Sequence, residues 1–487
     1  MSHLAQTAIG PNRWIRKTLC NRLFSLLKCK EYNLLKKYLF YCVVMCHGVA
    51  FAALGLDNGQ EDVVLHNDHV SVTINKSTAR ITELSRIDSA KAHVATLKFH
   101  FGQADKQGAY TELNEELLYT PERGYGFERL SSSENDVAEL EFKKDYVRSK
   151  TPFLFSVKLG EGNYRVTIAL PHTGSKYDTI IRAETRRLLI QDIVTDNEGK
   201  SVSFVVNVRN NKIKGGGEVS LKEREIPYLH WDDKLTFEIN GSYPAISTIE
   251  ISPADDLQTI FLAGDSTVCD QPDSLYNSWG QMLTLFFKPE IAVANHAAAG
   301  ATVSSSLGRR RFDKLFSMSK ENDYLFIQFG HNDMKDKSEN ALEKFSQNLT
   351  KVINRARAAG VKVVLVTSME RKKGVDRDTL GEYPDAVRQL AKQESVPLID
   401  LHMMSKRLYK ALRADLDKAF ADGSHHSSYG SYQLAKCIVK GIRKHIPELA
   451  IFLHDDLFLY DETHPDPVDE FILYRSPMRD MRKPDGS

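Results

Sequence analysis

Cysteine is scarce in this chain: six in 487 residues, four of them at positions 20, 29, 42 and 46. Only Cys269 and Cys437 remain for the body of the protein. That is too few for a disulfide framework, and the paired spacing of a structural zinc site is absent. Two free, buried thiols are the expectation. The body also lacks any run of about 20 apolar residues, so nothing in it requires a membrane-spanning helix. Charge of one sign is not in excess either, with 65 Lys and Arg against 64 Asp and Glu. A nucleic-acid partner would need a clustered positive surface, which this balance does not suggest. Internal repeats and low-complexity tracts are missing too, which removes repeat architectures.

What is present begins with "LLKKYLFYCVVMCHGVAFAALG" (34–55). Lys36 and Lys37 precede an apolar stretch that ends in Ala50-Phe51-Ala52, the pattern of a secretory signal with a small-residue cleavage site. An anchoring or buried helix is the competing reading, and the small residues favour export. Residues 1–52 are therefore expected to be a signal region cleaved near Ala52. Positions 1–33 do not fit an ordinary signal and read as an over-called start. The expected location is periplasmic or secreted, with no stable membrane insertion after removal. Residues 1–52 hold eight of the basic and one of the acidic residues, leaving 57 against 63, a net of −6.

Residues 57–255 follow one grammar. "DHVSVTINK", "ATLKFHFG", "FLFSVKL", "YRVTIAL", "SVSFVVNVR", "KLTFEING" and "ISTIEIS" alternate apolar with polar residues and are divided by Gly, Asn, Asp and Ser. Many short strands with turn signals between them predict a β-sandwich. Residues 256–450 follow another. "TIFLAG", "EIAVAN", "YLFIQFG", "VKVVLVTS" and "VPLIDL" are short continuous apolar runs, with amphipathic stretches between several of them. That pattern predicts an α/β three-layer sandwich with a five-stranded parallel sheet, preceded by the all-β sandwich domain. The boundary is placed near 252–258. The tail, 451–487, is rich in Pro and Asp and should wrap the surface.

Ligands of an open parallel sheet bind at the carboxyl ends of its strands. The first run ends in Asp265-Ser266-Thr267. The second is followed by Asn295 and Gly300, the third by Gly330-His331-Asn332-Asp333, and beyond the fifth lie Asp422 and His425. As chemistry these form a set. A serine hydroxyl needs a base to become a nucleophile, and His425 can serve. Asp422, three residues earlier, can hold the imidazole in the right tautomer. Candidate oxyanion donors are the amides of Ser266 and Gly300 and the side chain of Asn332. Alone, each piece has a plainer reading: a helix cap, a turn, a surface histidine. The adjacent His426 does not make a metal pair, because neighbouring side chains diverge and metal-binding histidines on a helix usually stand farther apart.

The four blocks resemble the SGNH, or GDSL-like, hydrolases, in which Ser, Gly, Asn and His each head a block. "GDST" is similar to the first, Gly300 to the second, "GHND" to the third and "DGSH" to the fourth. The likeness is closest to the rhamnogalacturonan acetylesterase branch, through "GDSTV", Trp279-Gly280-Gln281 and "FGHND". It covers about 256–450, and "HPDPVDEF" in the tail resembles a C-terminal segment of bacterial two-domain members. Those members carry an N-terminal galactose-binding-like sandwich, which "GYGFE" (124–128) and "WDDKLTFEING" (231–241) resemble more loosely. The resemblance implies a flavodoxin-like SGNH fold and a serine esterase that removes O-acetyl groups from a pectic polysaccharide. It requires neither metal nor organic cofactor. One departure bears on substrate contacts: many members have Arg after the oxyanion glycine, and here it is Ala301.

Other residues carry weaker expectations. Trp279 could stack on a sugar ring or pack in the core. His331 could touch substrate, and Asp265 could support the Ser266 turn. Arg309, Arg310 and Arg311 could attract uronate carboxylates, although such runs are more often solvated. Tyr125 and Trp231 are candidate sugar contacts in the sandwich, with core packing the stronger default. Acetylated xylan or a lipid are rival substrates. A carbohydrate-binding protein with an inactive α/β half is the rival class.

Overall fold

In the computed structural model, the described residues are the strands within 62–86, most of 96–477, and 483–485; the short stretches 104–107, 109, 130–137, 175, 196–197 and 456–459 are not described. The expected signal region and cleavage site lie outside them. Strands Asp62–His66, Val70–Asn75 and Arg80–Arg86 form an antiparallel meander in a compact unit of their own, 1–94. Residues 95–487 form the second unit.

Within that second unit, two five-stranded sheets build a sandwich. One runs Lys200–Val208, Gly162–Leu170, Thr248–Pro253, Leu97–Phe101 and Thr111–Leu113. The other runs Arg187–Thr195, Tyr177–Ala183, Lys234–Gly241, Phe153–Lys158 and Tyr125–Glu128. In Gly162–Leu170, buried Val166, Ile168 and Leu170 alternate with more exposed residues, so one face turns to the core. Phe101 from the first sheet meets Phe155 from the second edge to face, with centroids 5.1 Å apart.

The hairpin Tyr177–Thr195 was not among the sequence-predicted strands. Its turn is Glu184-Thr185-Arg186, with Glu184 and Arg186 at φ of 57° and 61°. Gly or Asn usually marks such a turn, and neither is present here. Ile180 and Leu188 of this hairpin belong to the apolar core of the α/β half, so packing continues across residue 255.

The α/β half holds five parallel strands: β1 (Thr259–Gly264), β2 (Ala292–Asn295), β3 (Tyr324–Gln328), β4 (Lys362–Val366) and β5 (Leu398–Ile399), in the order β2-β1-β3-β4-β5. All five lie within the predicted runs. Every residue of β1, β2 and β3 is buried, as strands covered on both faces require. Helices cover the sheet: α1 (Trp279–Leu283), α2 (Val303–Gly308), α3 (Arg311–Met318), α4 (Ala341–Ala358), α5 (Tyr383–Gln393), α6 (Leu401–Leu412) and α7 (Ser428–His445). On α4 the buried residues are Phe345, Leu349, Val352, Ile353 and Ala356, a helical stripe laid on the sheet. No helix among the described residues is long and apolar enough to cross a membrane. Cys269 and Cys437 are free and buried. In the described part of the tail, Asp466 pairs with Lys436 of α7, and the Arg475 carbonyl accepts from Asn240 of the sandwich.

Candidate active site

The carboxyl edge of the sheet brings the four blocks together. Ser266 follows β1 in a tight turn, with the amides of Val268 and Cys269 both donating to the Asp265 carbonyl. The Ser266 hydroxyl lies 2.9 Å from His425 Nε2, and His425 Nδ1 lies 2.9 Å from Asp422 Oδ2. The other Asp422 oxygen accepts from the amides of Ser424 and His425, each at 2.7 Å. Burial works against charge on Asp422, but these hydrogen bonds outweigh it and hold the carboxyl well below its ordinary value. The His425 ring meets the edge of Tyr276 at 5.9 Å.

Behind the serine, a buried polar relay fixes the turn. Trp279 Nε1 donates to Gln328 Oε1 at 2.8 Å, and Gln328 Nε2 donates to Thr267 Oγ1 at 2.7 Å. Thr267 in turn donates through its hydroxyl and its amide to Asp265 Oδ1, at 2.7 and 2.9 Å. The second Asp265 oxygen lies 3.4 Å from His331 Nδ1. Asp265 is fully buried. Burial would raise its carboxyl, and His331 and Thr267 bring it below the ordinary value. Asp265 thus holds Thr267, the residue after Ser266, by two hydrogen bonds.

The relay corrects two expectations. Trp279 is 1% exposed, with its indole N–H spent on Gln328, so it offers no face to a sugar. His331 is also buried, with Nε2 against the Met369 carbonyl at 2.9 Å and Nδ1 towards Asp265. Both hold the site together from inside. The Trp-Gly-Gln motif gains a packing reason as well: a Cβ on Gly280 would sit 2.2 Å from the Val268 carbonyl oxygen. Among the arginines, Arg311 is buried against Glu225, while Arg309 and Arg310 reach the carbonyls of Ser220 and Gly216. Arg310 is exposed and also pairs with Asp313, so of the three only Arg311 is taken out of solvent, and all three reach the loop that follows the strand Lys200–Val208. Trp231 is buried beneath the Arg209 guanidinium, and Tyr125 packs on Phe99.

Gly300 has φ +68°, which favours glycine. Neither its amide nor that of Ser266 donates to a protein acceptor among the described residues. Asn332 Nδ2 gives one hydrogen to the Ala301 carbonyl at 3.2 Å, which ties the third block to the second. Its neighbour Asp333 accepts from the Val303 amide at 3.0 Å, and burial pushes its carboxyl up to about 7. His426 turns away into the core, hydrogen-bonded to Tyr409 at 2.7 Å; burial lowers it to about 3.

Among the described residues, one trio, Glu370, Asp378 and His402, brings possible metal ligands within 4.8 Å of one another. Protein partners occupy it: Glu370 accepts from the amides of Arg371 and Thr379, and Asp378 pairs with Lys406.

Sequence reasoning missed Gln328, Thr267 and Gln271, whose side-chain amide donates to the Ser266 carbonyl. A polar residue ending an otherwise apolar strand was the available signal for Gln328.

Residues 262–433 match the GDSL-like Lipase/Acylhydrolase family. Rhamnogalacturonan acetylesterase RhgT of Bacillus subtilis is 36% identical over 220 residues, 41% of this chain and 93% of that protein. The probable rhamnogalacturonan acetylesterase YesY of the same organism is 32% identical over 202 residues, 38% of this chain and 92% of its own length. Among solved structures, the YxiM protein of Bacillus subtilis aligns over 72% of this chain and 98% of its own, at 22% identity and a TM-score of 0.40.

Proposed function

The chain belongs to the GDSL-like lipase/acylhydrolase family and is a carbohydrate esterase; we propose that it removes O-acetyl groups from rhamnogalacturonan, with Ser266, His425 and Asp422 as its triad. The observation that carries this reading is the unbroken hydrogen-bond line from Ser266 Oγ through His425 to Asp422, 2.9 Å at each link.

The chemistry follows from that line. His425 Nε2 takes the Ser266 proton as Oγ attacks the acetyl carbonyl. Asp422 accepts from Nδ1–H, which fixes the tautomer and stabilises the imidazolium. The amides of Ser266 and Gly300 and Asn332 Nδ2 are the donors for the oxyanion. When the intermediate collapses, His425 gives the proton to the departing sugar oxygen, which leaves as a hydroxyl. Water, deprotonated by His425, then attacks the acetyl-serine, and acetate leaves with Ser266 reprotonated. Export by the segment ending near Ala52 goes with a polymeric substrate outside the cytoplasm.

The test is acetate release from acetylated rhamnogalacturonan, acetylated xylan and a small chromogenic acetate, by wild type and Ser266→Ala. The expected result is serine-dependent release, fastest on rhamnogalacturonan. Faster release from xylan would move the substrate assignment. No serine-dependent release from any of the three would refute the esterase.

A further inference from the structure

Two cations stand beside Gly300 that the proposed chemistry does not use. Lys222 and Arg224 lie in the loop that follows the sandwich strand Lys200–Val208, around the short turn Glu223–Glu225. Lys222 Nζ donates to the carbonyl of Ala299, the residue before Gly300. A Cβ built on Gly300 would lie 3.2 Å from that same Nζ. The ammonium therefore touches the loop that presents the Gly300 amide. Lys222, Arg224, Ala297, Ala299 and Gln271 line one pocket, and Gln271 also holds the Ser266 carbonyl.

The pair already holds a carboxylate. Asp485, near the end of the chain, places Oδ2 2.9 Å from Lys222 Nζ and Oδ1 2.7 Å from Arg224 Nη1, one cation on each oxygen. Arg224 is held in place from both sides: Nε donates to Tyr228 Oη at 3.1 Å, and Nη1 to the Lys483 carbonyl at 2.9 Å. Burial would raise the Asp485 carboxyl, and the two cations bring it below its ordinary value, so it is charged at neutral pH. The Asp485 Cβ would be 2.6 Å from a Cβ on Gly300. Two residues earlier, Lys483 Nζ lies 3.5 Å from Asp422 Oδ2. Residues 483–485 thus touch the site at both the Gly300 loop and Asp422. The other nearby acid, Glu225, is engaged with Arg311 and the Lys222 amide.

We propose that Lys222 and Arg224 form a carboxylate-binding subsite that takes a uronic acid residue of the acetylated glycan next to the reacting acetyl group, and that Asp485 occupies it in the free protein. The inference rests on the carbohydrate-esterase reading and narrows its substrate to glycans that carry carboxylates. The Asp485 side chain is 38% exposed, against 22% for Lys222 and 11% for Arg224, so the occupant is the removable partner and the cations are the fixed ones. A carboxylate gripped on both oxygens discriminates a uronate from its neutral ester, because the ester keeps the shape and loses the charge. Asp485 competes from within the chain, at an effective concentration in the millimolar range or above.

The test is calorimetric binding of trigalacturonate and of its methyl ester to the full chain, to Arg224→Gln and to Asp485→Ala. The wild type should prefer the acid. Arg224→Gln should weaken acid binding about tenfold or more. Asp485→Ala should tighten acid binding several-fold and leave the methyl ester unchanged. The Asp485→Ala arm decides the matter even where Arg224→Gln fails to fold. Equal binding of acid and ester by wild type and Asp485→Ala would overturn the subsite. Loss of the esterase reading would instead appear as absent acetate release with this binding intact.

Discussion

The carboxyl edge of the parallel sheet and the seam beside the hairpin Tyr177–Thr195 are both buried and both polar, yet they are built differently. At the edge, two lines of hydrogen bonds run from Trp279 through Gln328 and Thr267 to Asp265, and from Ser266 through His425 to Asp422, with Asp265 Oδ2, His331 Nδ1 and Asp333 Oδ2 left without a hydrogen-bonding partner among the described residues. At the seam, charges dominate. Arg187 pairs with Asp270 at 2.7 Å with both side chains 1% exposed, Arg186 reaches the Gln271 carbonyl, and Arg209 reaches the Asn295 carbonyl. Several seam atoms lack a hydrogen-bonding partner among the described residues: Arg186 Nε, Arg187 Nη2, Arg209 Nε and Nη1, and Glu184 Oε2. Burial pushes Glu184 up to about 8 and Arg209 down to about 9. The edge is arranged for chemistry. The seam joins the sandwich to the α/β half at a desolvation cost, and breaking one partner there leaves a buried charge alone.

The largest expected effect breaks the edge. His425→Ala removes the base and should lower kcat for acetate release by about 10⁴-fold or more, with the fold intact by circular dichroism. Asp270→Ala breaks the seam instead. It strips Arg187 of its partner and removes the acceptor that Asn295 Nδ2 meets at 2.8 Å. Chemical denaturation should show a loss of about 3–5 kcal/mol. The contrast fails if His425→Ala destabilises as much as Asp270→Ala does.

Gln328→Leu probes the relay. It leaves the indole N–H of Trp279 unpaired in the core and frees the Thr267 hydroxyl from one partner, for about 1–3 kcal/mol of stability. Because Thr267 ties down Asp265 in the turn that carries Ser266, kcat should fall while KM changes less. The remaining prediction concerns Asp333. Its carboxyl is near 7 in the folded protein against an ordinary 3.8, so folding favours the protonated form. That contribution is complete below about pH 4, is lost as pH rises towards 7, and stays lost above. Asp333→Asn should therefore raise Tm at pH 8 and change it little at pH 4. An equal change at both pH values would contradict the assignment.

The difference in legibility between the two regions has a physical cause. A parallel sheet sends every strand's carboxyl end to one edge, so Ser266 and His425, 159 residues apart, become neighbours by topology alone. Continuous apolar runs revealed the strands, and the polar residues following them marked the candidate site. No such rule brings Arg187 to Asp270, or Lys222 to Gly300. The hairpin went unread because its turn uses Glu184 and Arg186 at positive φ where a glycine would have marked it. Trp279 and His331 stayed open to a substrate reading because a residue's type and place in the sequence do not reveal which way its side chain points. Burial and hydrogen bonding settle that, through Gln328 and the Met369 carbonyl.

The central claim is that Ser266 is the nucleophile and His425 its base. A fluorophosphonate ester that traps activated serines tests it directly, with intact-mass analysis and peptide mapping of wild type and His425→Ala. The account predicts one adduct on the peptide holding Ser266 in the wild type, and at most slow labelling in His425→Ala. An adduct on another residue, or labelling of Ser266 at the same rate in both proteins, would contradict it.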